Sequence, residues 1–305
     1  MQLRATETSL IDADLVLIHG FWSSPATWDQ VAERVQADLD LRGLRVHRFR
    51  YESPKLPMPF AATRIPDYND VAQSLRSYLA ATVSGRDTAI VTHSQGGLIL
   101  QRFLAWMLNE GYGQELASVK LVLMLACPNE GSEFSRSIRK MAGFGRHAQA
   151  RDLQVLSSDV TDARRTVLRQ VVYTDTVSAR ECRIPFRVYA GRSDRIVTRA
   201  SAQSVFPEAE TLPGDHSSIL HAAQADNLTF PTLKRHLVET FGQRPAITVT
   251  GDGAVAPPSP DSTEPVNGEN VVVRWNPDSR TVDFITTPDV ALSWIRELRE
   301  EQPDE

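Results

Sequence analysis

Short, continuous apolar runs alternate along this chain with longer stretches in which apolar residues recur at helical spacing. The run 121–125 contains only apolar side chains, as is typical of a strand buried on both faces of a sheet. Such an alternation predicts an α/β fold with a mostly parallel sheet of about six strands flanked by helices. The predicted strands are Leu15–His19, Leu44–Arg50, Thr88–His93, Val119–Ala126, Phe186–Ala190 and Glu210–Leu212, and the predicted helices are Ala26–Arg42, Asp67–Ser84, Gln95–Glu110, Thr198–Val205 and Phe230–Phe241.

Two segments depart from this alternation. Residues 52–66 contain four prolines and are predicted to form a loop with Met58 and Phe60 at its apolar tip. Residues 128–183 are long, weakly periodic and rich in arginine, which predicts a helical insertion over the carboxyl edge of the sheet, where ligands bind in open α/β sheets. A moving lid and an ordinary connection with one extra helix both fit this insertion.

The character of the chain changes after the α/β domain, which we place at residues 1–245. Residues 246–270 have the Pro- and Gly-rich, acidic composition of a linker. Residues 271–305 then predict a small appendage, a β-hairpin of 271–275 and 281–285 followed by a helix at 289–300. This appendage is too small for a core of its own, so we expect it to dock on the main domain or on a partner.

Composition narrows the function classes. Apolar residues make up 41% of the chain and charged residues 23%, which is ordinary for a globular protein. The net charge is −5, and 246–305 hold 12 acidic and 4 basic side chains. No dense basic face is present, so nucleic acid is not expected as a partner.

Membrane and metal signals are also missing from the sequence. No run approaches the roughly 18 apolar residues of a transmembrane segment, and residues 1–14 lack the apolar region of a secretory signal. The two cysteines, Cys127 and Cys182, form neither a disulfide framework nor a zinc-ligand spacing. We therefore expect a cytoplasmic protein without a metal and without a cofactor.

A candidate nucleophile lies at the end of one apolar run. Residues 89–93 end abruptly at Ser94, and Gly96 and Gly97 follow before apolar residues resume at helical spacing. This pattern predicts a strand, a tight turn and a helix with Ser94 at the apex, known as a nucleophile elbow. Thr92 stands where the usual G-x-S-x-G motif has its first glycine, and a serine near two glycines can also mark a plain turn.

A serine hydroxyl is a weak nucleophile until a base removes its proton and an acid orients that base. Asp194 directly follows the predicted strand Phe186–Ala190, and His216 lies in the loop after the next short strand. The order Ser94, Asp194, His216 is the order in which the nucleophile-elbow architecture uses these residue types. We therefore predict Ser94 as nucleophile, His216 as base and Asp194 as the orienting acid.

Each partner has rivals. Asp175 also follows an apolar segment but lies in the insertion, and Asp215 adjoins His216 too closely in sequence for a head-on contact. His93 precedes the nucleophile and is expected to point away from Ser94. The remaining histidines lack a matching turn context: His19, His47, His147, His221 and His236.

A site for a developing oxyanion is predicted next to Ser94. In this architecture the donors are the backbone N–H of the residue after the nucleophile and an N–H from the loop after an early strand. These positions are Gln95 and Phe21, and Gly20 would let the backbone turn inward at Phe21.

Several elements together resemble the α/β-hydrolase superfamily: His19-Gly20, His93–Gly97, Asp194 and His216. Within it, Cys127–Ser132 and Gly214–Ile219 are similar to stretches of serine-active-site esterases related to GPI inositol-deacylase, including hydrolase domains of STAND-type proteins. The resemblance covers about residues 14–242 and implies acyl-ester hydrolysis without naming a substrate. The chain departs from the pattern of these esterases at Thr92, Cys127 and Asn129.

These features favour a serine esterase or lipase-like hydrolase of carboxylic esters, acting on a small-molecule or lipid ester. Trp22, Met58 and Phe60 are the candidate substrate pocket, although Trp22 and Phe60 fit a role in the core equally well. Two alternatives stay open. The chain could be an effector or signalling module on a hydrolase scaffold whose C-terminal appendage recruits a protein partner, or a thioesterase or amidase with the same triad.

Overall fold

Six parallel strands form the central sheet of the computed structural model, which describes residues 10–20, 23–51, 68–83, 85–128, 161–206, 208–224, 226–242, 246–249, 263–266, 269–276 and 281–285. The strands are β1 (Asp14–Ile18), β2 (Arg45–Phe49), β3 (Thr88–His93), β4 (Val119–Leu125), β5 (Phe186–Gly191) and β6 (Glu210–Leu212). Their spatial order is β2-β1-β3-β4-β5-β6, with every neighbouring pair parallel. The predicted α/β fold with a six-stranded parallel sheet is confirmed.

Helices cover both faces of this sheet. They are α1 (Asp29–Ala37), α2 (Tyr68–Thr82), α3 (Gly96–Asn109), α4 (161–167, continuing as a π turn at Leu168–Val172), α5 (Arg199–Val205) and α6 (Thr229–Phe241). Residues of α2, α3, α4 and α5 join the main apolar cluster with Val16, Ile18 and Ile90 of the strands. On the other face α1 contacts α6, where the Arg34 guanidinium lies 4.6 Å from the ring centre of Phe230. Successive strand side chains point to opposite faces, so burial on both sides accounts for the continuous apolar runs.

The predicted helix Ala26–Arg42 is divided into three pieces. A 3-10 turn at Pro25–Trp28 precedes α1, and a second 3-10 turn at Leu39–Leu41 follows it. Asp38 between them has extended backbone angles, and its carboxylate accepts a hydrogen bond of 3.0 Å from the backbone N–H of Asp40. This local bond between side chain and backbone competes with the helical pattern and ends α1 at Ala37.

A buried carboxylate lies at the start of β1. The Asp14 side chain is fully buried, and its oxygens accept hydrogen bonds from Arg86 Nε at 2.6 Å, Arg45 Nε at 3.1 Å and His47 Nε2 at 2.6 Å. Burial alone would raise the pKa of the Asp14 carboxyl, but these hydrogen bonds outweigh burial and lower the pKa to about 2. The network therefore fixes the beginnings of β1 and β2 and the turn before β3.

Replacing Asp14 by asparagine is expected to lower the free energy of unfolding at pH 7 by about 1–3 kcal/mol. Because the folded-state pKa lies below the usual value, the stabilisation by Asp14 is complete above about pH 4 and is lost as the pH falls towards 2. Urea unfolding of the wild type and of Asp14→Asn between pH 7 and pH 2.5 measures the free energy of unfolding of each protein. The difference between the two free energies should become smaller as the pH falls. Asp12→Asn is the matched control, since Asp12 is exposed and contacts only the edge of the network through Arg45. A difference that does not vary with pH would contradict the assignment.

The second half of the insertion packs into the core. Val167 and Val171 of α4 belong to the main apolar cluster, and the backbone N–H of Ile184 donates to Val171 O at 3.3 Å just before β5 begins. Residues 161–183 thus form the connection that returns the chain to the start of β5. The first half, 129–160, lies outside the described residues, and the lid stays a prediction.

The C-terminal part contains more strand than the sequence suggests. The strands β7 (Ala246–Val249), β8 (Thr263–Val266), β9 (Glu269–Asn276) and β10 (Thr281–Ile285) form an antiparallel sheet in the order β7-β10-β9-β8. The pair of β9 and β10 matches the predicted hairpin. The strands β7 and β8 lie within residues 246–270, for which the sequence predicts a linker. Runs such as Ala246–Val249 carry β-branched residues that favour pairing despite the surrounding Pro and Gly. The predicted helix 289–300 lies outside the described residues.

Contacts between residues divide the chain into two compact units, Asp12–Phe241 and Met1–Ile11 with Gly242–Glu305. Within the described part of the chain, none of the helices combines the length and the apolar character needed to cross a membrane.

Candidate active site

Ser94 occupies the sharp turn between β3 and α3. Its backbone has a φ of 53°, a left-handed conformation that is strained for a residue with a side chain. The turn is held by hydrogen bonds from Ser94 N–H to Leu125 O at 3.0 Å and from Gly97 N–H to Ser94 O at 3.1 Å. Ser94 therefore lies at the carboxyl edge of the sheet beside the end of β1, at the point where the strand order reverses.

Two glycines allow the backbones to meet at this point. A Cβ at Gly96 would lie 2.6 Å from Ile18 O and 2.7 Å from His19 O, and a Cβ at Gly20 would lie 2.8 Å from the Cβ of Ser94. Such distances are shorter than van der Waals contact, so only glycine permits the close approach. The elbow and the loop after β1 are packed directly against each other.

Two of the residues at which the chain departs from the esterase pattern contact each other. Thr92 and Cys127 are both buried, and the Thr92 hydroxyl lies 3.4 Å from the Cys127 sulfur. A Cβ at Gly97 would lie 2.6 Å from the same sulfur. Burial raises the pKa of the Cys127 thiol to about 12, so this cysteine is a packed, protonated neighbour of the turn and not a nucleophile. Thr92 lies near the end of β3 and Cys127 shortly follows the neighbouring strand β4, so the positions of the two residues in the sequence already indicate that they are close.

The structure brings the three predicted catalytic side chains together. Ser94 Oγ is 2.9 Å from His216 Nε2, and His216 Nδ1 is 2.9 Å from Asp194 Oδ2. Asp194 follows β5 and His216 follows β6, as the sequence predicts. The three residues are 3–7% exposed, so their hydrogen bonds are shielded from water.

Asp194 is oriented from two sides. Its second oxygen, Oδ1, accepts hydrogen bonds from the backbone N–H groups of Ile196 at 2.7 Å and Val197 at 2.9 Å. The carboxylate therefore presents Oδ2 to His216, which places a proton on Nδ1 and leaves Nε2 as the acceptor for the Ser94 hydroxyl proton. This arrangement can remove a proton from Ser94 as its oxygen attacks an electrophile.

The rival carboxylates are not in contact with His216 through their side chains. Asp215 Oδ1 accepts hydrogen bonds from Ser217 N–H at 3.0 Å and Ser218 N–H at 2.8 Å, so its carboxylate shapes the loop locally. Asp175 is exposed, in the stretch that precedes β5.

His93, which the sequence predicts to point away from Ser94, is nevertheless part of the site. His93 lines the same cavity as Ser94 and forms a hydrogen bond of 2.7 Å from Nε2 to the backbone carbonyl of His216. Strand alternation separates the side chains of His93 and Ser94, and the contact of His93 with His216 depends on a loop 123 residues further along the chain. Of the remaining histidines, His221 also lines the cavity, His19, His47 and His236 make hydrogen bonds elsewhere, and His147 lies outside the described residues.

A cavity of about 540 Å³ opens at Ser94 and His216. Its described wall is formed by the 3-10 turn before α1, the first turn of α1 and the loop after His216. Most of the residues that line it are of polar types, and Leu220 and Ala26 are apolar. Besides His93, Ser94 and His216, the polar side chains that line it are Ser23, Thr27, Asp29, Gln30, Ser217 and His221.

The predicted oxyanion donors are described only in part. Gln95 is buried and directly precedes α3, so its backbone N–H lies at the amino end of that helix, where negative charge is favoured. Phe21 lies outside the described residues, as do the predicted pocket residues Trp22, Met58 and Phe60. The described residues contain no group of three His, Cys, Asp or Glu side chains placed to hold a metal ion.

Comparison with protein-family models places residues 15–280 in a match to the Alpha/beta hydrolase family. No curated protein matches the chain. Among solved structures, an aryl esterase described as putative from Burkholderia cenocepacia is 18% identical with a TM-score of 0.46, covering 78% of this chain and 92% of that one. The type II thioesterase BorB from the borrelidin biosynthetic cluster is 17% identical with a TM-score of 0.44, covering 78% and 96%. ClbQ from the colibactin NRPS/PKS pathway is 15% identical with a TM-score of 0.42, covering 75% and 96%.

Proposed function

The chain belongs to the alpha/beta hydrolase family, and we propose that it is a serine hydrolase that cleaves carboxylic esters through Ser94, His216 and Asp194. The family supports hydrolytic activity. The observation that carries the finer proposal is the continuous pair of 2.9 Å hydrogen bonds from Ser94 through His216 to Asp194. These residues lie in three separate loops that are distant in sequence, and the packing of each loop by itself does not require their side chains to form one chain of hydrogen bonds.

The reaction begins when Ser94 Oγ attacks the ester carbonyl carbon while His216 Nε2 takes the hydroxyl proton. The carbonyl oxygen becomes an oxyanion, which the backbone N–H groups of Gln95 and Phe21 would stabilise. His216 then gives the proton to the leaving alcohol as the bond to that alcohol breaks, and an acyl group stays on Ser94. Water repeats the sequence, with His216 as base, and releases the carboxylic acid.

Asp194 contributes orientation and charge. Because two backbone N–H groups hold its other oxygen, the carboxylate keeps His216 in the tautomer that accepts at Nε2 and stabilises the imidazolium once it forms.

Labelling with a fluorophosphonate probe tests the proposal. Ser94 Oγ should displace fluoride from phosphorus, and mass spectrometry should find one adduct on the peptide that contains Ser94. Ser94→Ala should take up no probe, and heat-denatured wild type serves as the control for non-specific reaction. Folded wild-type protein that takes up no probe at Ser94 would leave the alternative of an effector module on a hydrolase scaffold.

The bond type and the acyl group are separate questions. Turnover of matched p-nitrophenyl esters, thioesters and acyl anilides measures which bond is cleaved, and a series from acetyl to palmitoyl measures the acyl preference. An apolar acyl pocket, a partner for the C-terminal appendage, a cytoplasmic setting and the closer relation to GPI inositol-deacylase stay predictions.

A further inference from the structure

We propose that His93 is a positioning residue, which donates its Nε2–H to the backbone carbonyl of His216 and so sets the distance between the catalytic imidazole and Ser94. The inference rests on the proposed function, because the distance matters only if His216 acts as the base. The bond is 2.7 Å long and joins residues 123 positions apart in the chain. Both residues are 7% exposed.

The direction of this hydrogen bond follows from its acceptor. A backbone carbonyl only accepts, so the proton lies on His93 Nε2. Burial, followed by the nearby His216, lowers the pKa of His93 to about 4, and His93 is therefore neutral at pH 7. Its ring centre lies 5.2 Å from that of His216, where a second positive charge would oppose formation of the His216 imidazolium.

The His93 ring is itself held in place. The edge of the fully buried Trp28 meets it at an angle of 90°, with ring centres 6.5 Å apart. His93 is also the last residue of β3 and the immediate neighbour of Ser94. A bond from His93 to His216 therefore ties the base to the same strand end that carries the nucleophile.

Several hydrogen bonds hold the loop that carries His216. It is shaped locally by the turn of Asp215 with Ser217 and Ser218, and by Gly214 at a φ of 110°. The Ser193 N–H joins the loop to the end of β5 by donating to Gly214 O at 3.0 Å. The hydrogen bond from His93 adds a connection to β3, through the main chain of His216 itself. A displacement of about 1 Å at a catalytic group can lower a rate by roughly 10²-fold.

A pair of variants of equal size tests the role. His93→Met removes the N–H donor, whereas His93→Gln has nearly the same shape and keeps an amide N–H of similar reach. We expect kcat for p-nitrophenyl acetate to fall by roughly 10–100-fold in His93→Met with KM changed less than about threefold. His93→Gln should recover most of the lost kcat. His93→Phe, which keeps the ring against Trp28 but has no donor, should be as slow as His93→Met.

A buried histidine outside the site provides the control. His236 of α6 forms a 2.7 Å hydrogen bond with the Tyr189 hydroxyl and does not line the cavity, and His236→Gln and His236→Met should differ in melting temperature without differing in kcat. A kcat of His93→Met equal to that of the wild type would overturn the positioning role. Equal kcat values for folded His93→Gln and His93→Met would overturn it as well. Wild-type protein that hydrolyses no ester and takes up no fluorophosphonate would instead overturn the proposed function.

Discussion

Replacing Ser94 by alanine is expected to lower ester turnover by roughly 10⁶-fold while the protein stays folded. Alanine removes the attacking oxygen and leaves His216 and Asp194 in place. Ser94 is buried rather than exposed, so the variant also loses one hydrogen bond to His216, worth about 1 kcal/mol. The strained φ of 53° is retained by alanine. Hydrolysis of p-nitrophenyl acetate and a melting curve measure the two effects, and the melting temperature should fall by no more than about 5 °C.

Ser118→Ala is the control for this experiment. Ser118 is partly exposed and does not line the cavity, and its hydroxyl donates to the local carbonyl of Glu115, so its replacement should leave turnover at the wild-type rate. Residual turnover in Ser94→Ala within tenfold of wild type would mean that another group attacks the substrate.

Replacing Asp194 by asparagine is expected to lower kcat by roughly 10⁴-fold. The side-chain oxygen of asparagine can still accept from Ile196 and Val197, as Asp194 Oδ1 does. Its NH₂ group then faces His216 Nδ1, which must accept instead of donate. The remaining ring proton moves to Nε2 and points at the Ser94 hydroxyl, so His216 can no longer take the serine proton.

The control for Asp194→Asn is Asp215→Asn. Asp215 adjoins His216 in sequence but its carboxylate caps a local turn, so we expect a change in kcat of less than about tenfold. Steady-state kinetics at pH 8 with melting curves for both variants make the comparison. Asp194→Asn with wild-type kcat would redirect the search for the acid to Asp175.

The parts of the fold that follow from local pattern are predictable from this sequence. β1, β3 and β4 are buried on both faces and largely apolar, and all six predicted strands agree with the structure to within one residue. The approach of Ser94, Asp194 and His216 could also be predicted, because residues after parallel strands collect at one edge of the sheet.

Other features depend on contacts that no local pattern encodes. The break in the helix at Asp38 comes from one side-chain hydrogen bond, and the pairing of β7 and β8 comes from neighbours elsewhere in the small sheet. The contact of His93 with His216 requires knowledge of how a loop 123 residues away folds back over the strand end. Alternation along β3 gives no information about which distant loop the His93 side chain contacts.

The contact between Thr92 and Cys127 has a consequence for how this elbow can change during evolution. The Cys127 sulfur lies between the Thr92 hydroxyl and Gly97, and the space beside Gly97 is too small for a Cβ. A glycine at position 92 would open a gap beside the sulfur, and a larger residue at 127 would collide with the first turn of α3. Substitutions at 92 and 127 should therefore be epistatic, each tolerated mainly on the background of the other, and the pair should be inherited or lost together.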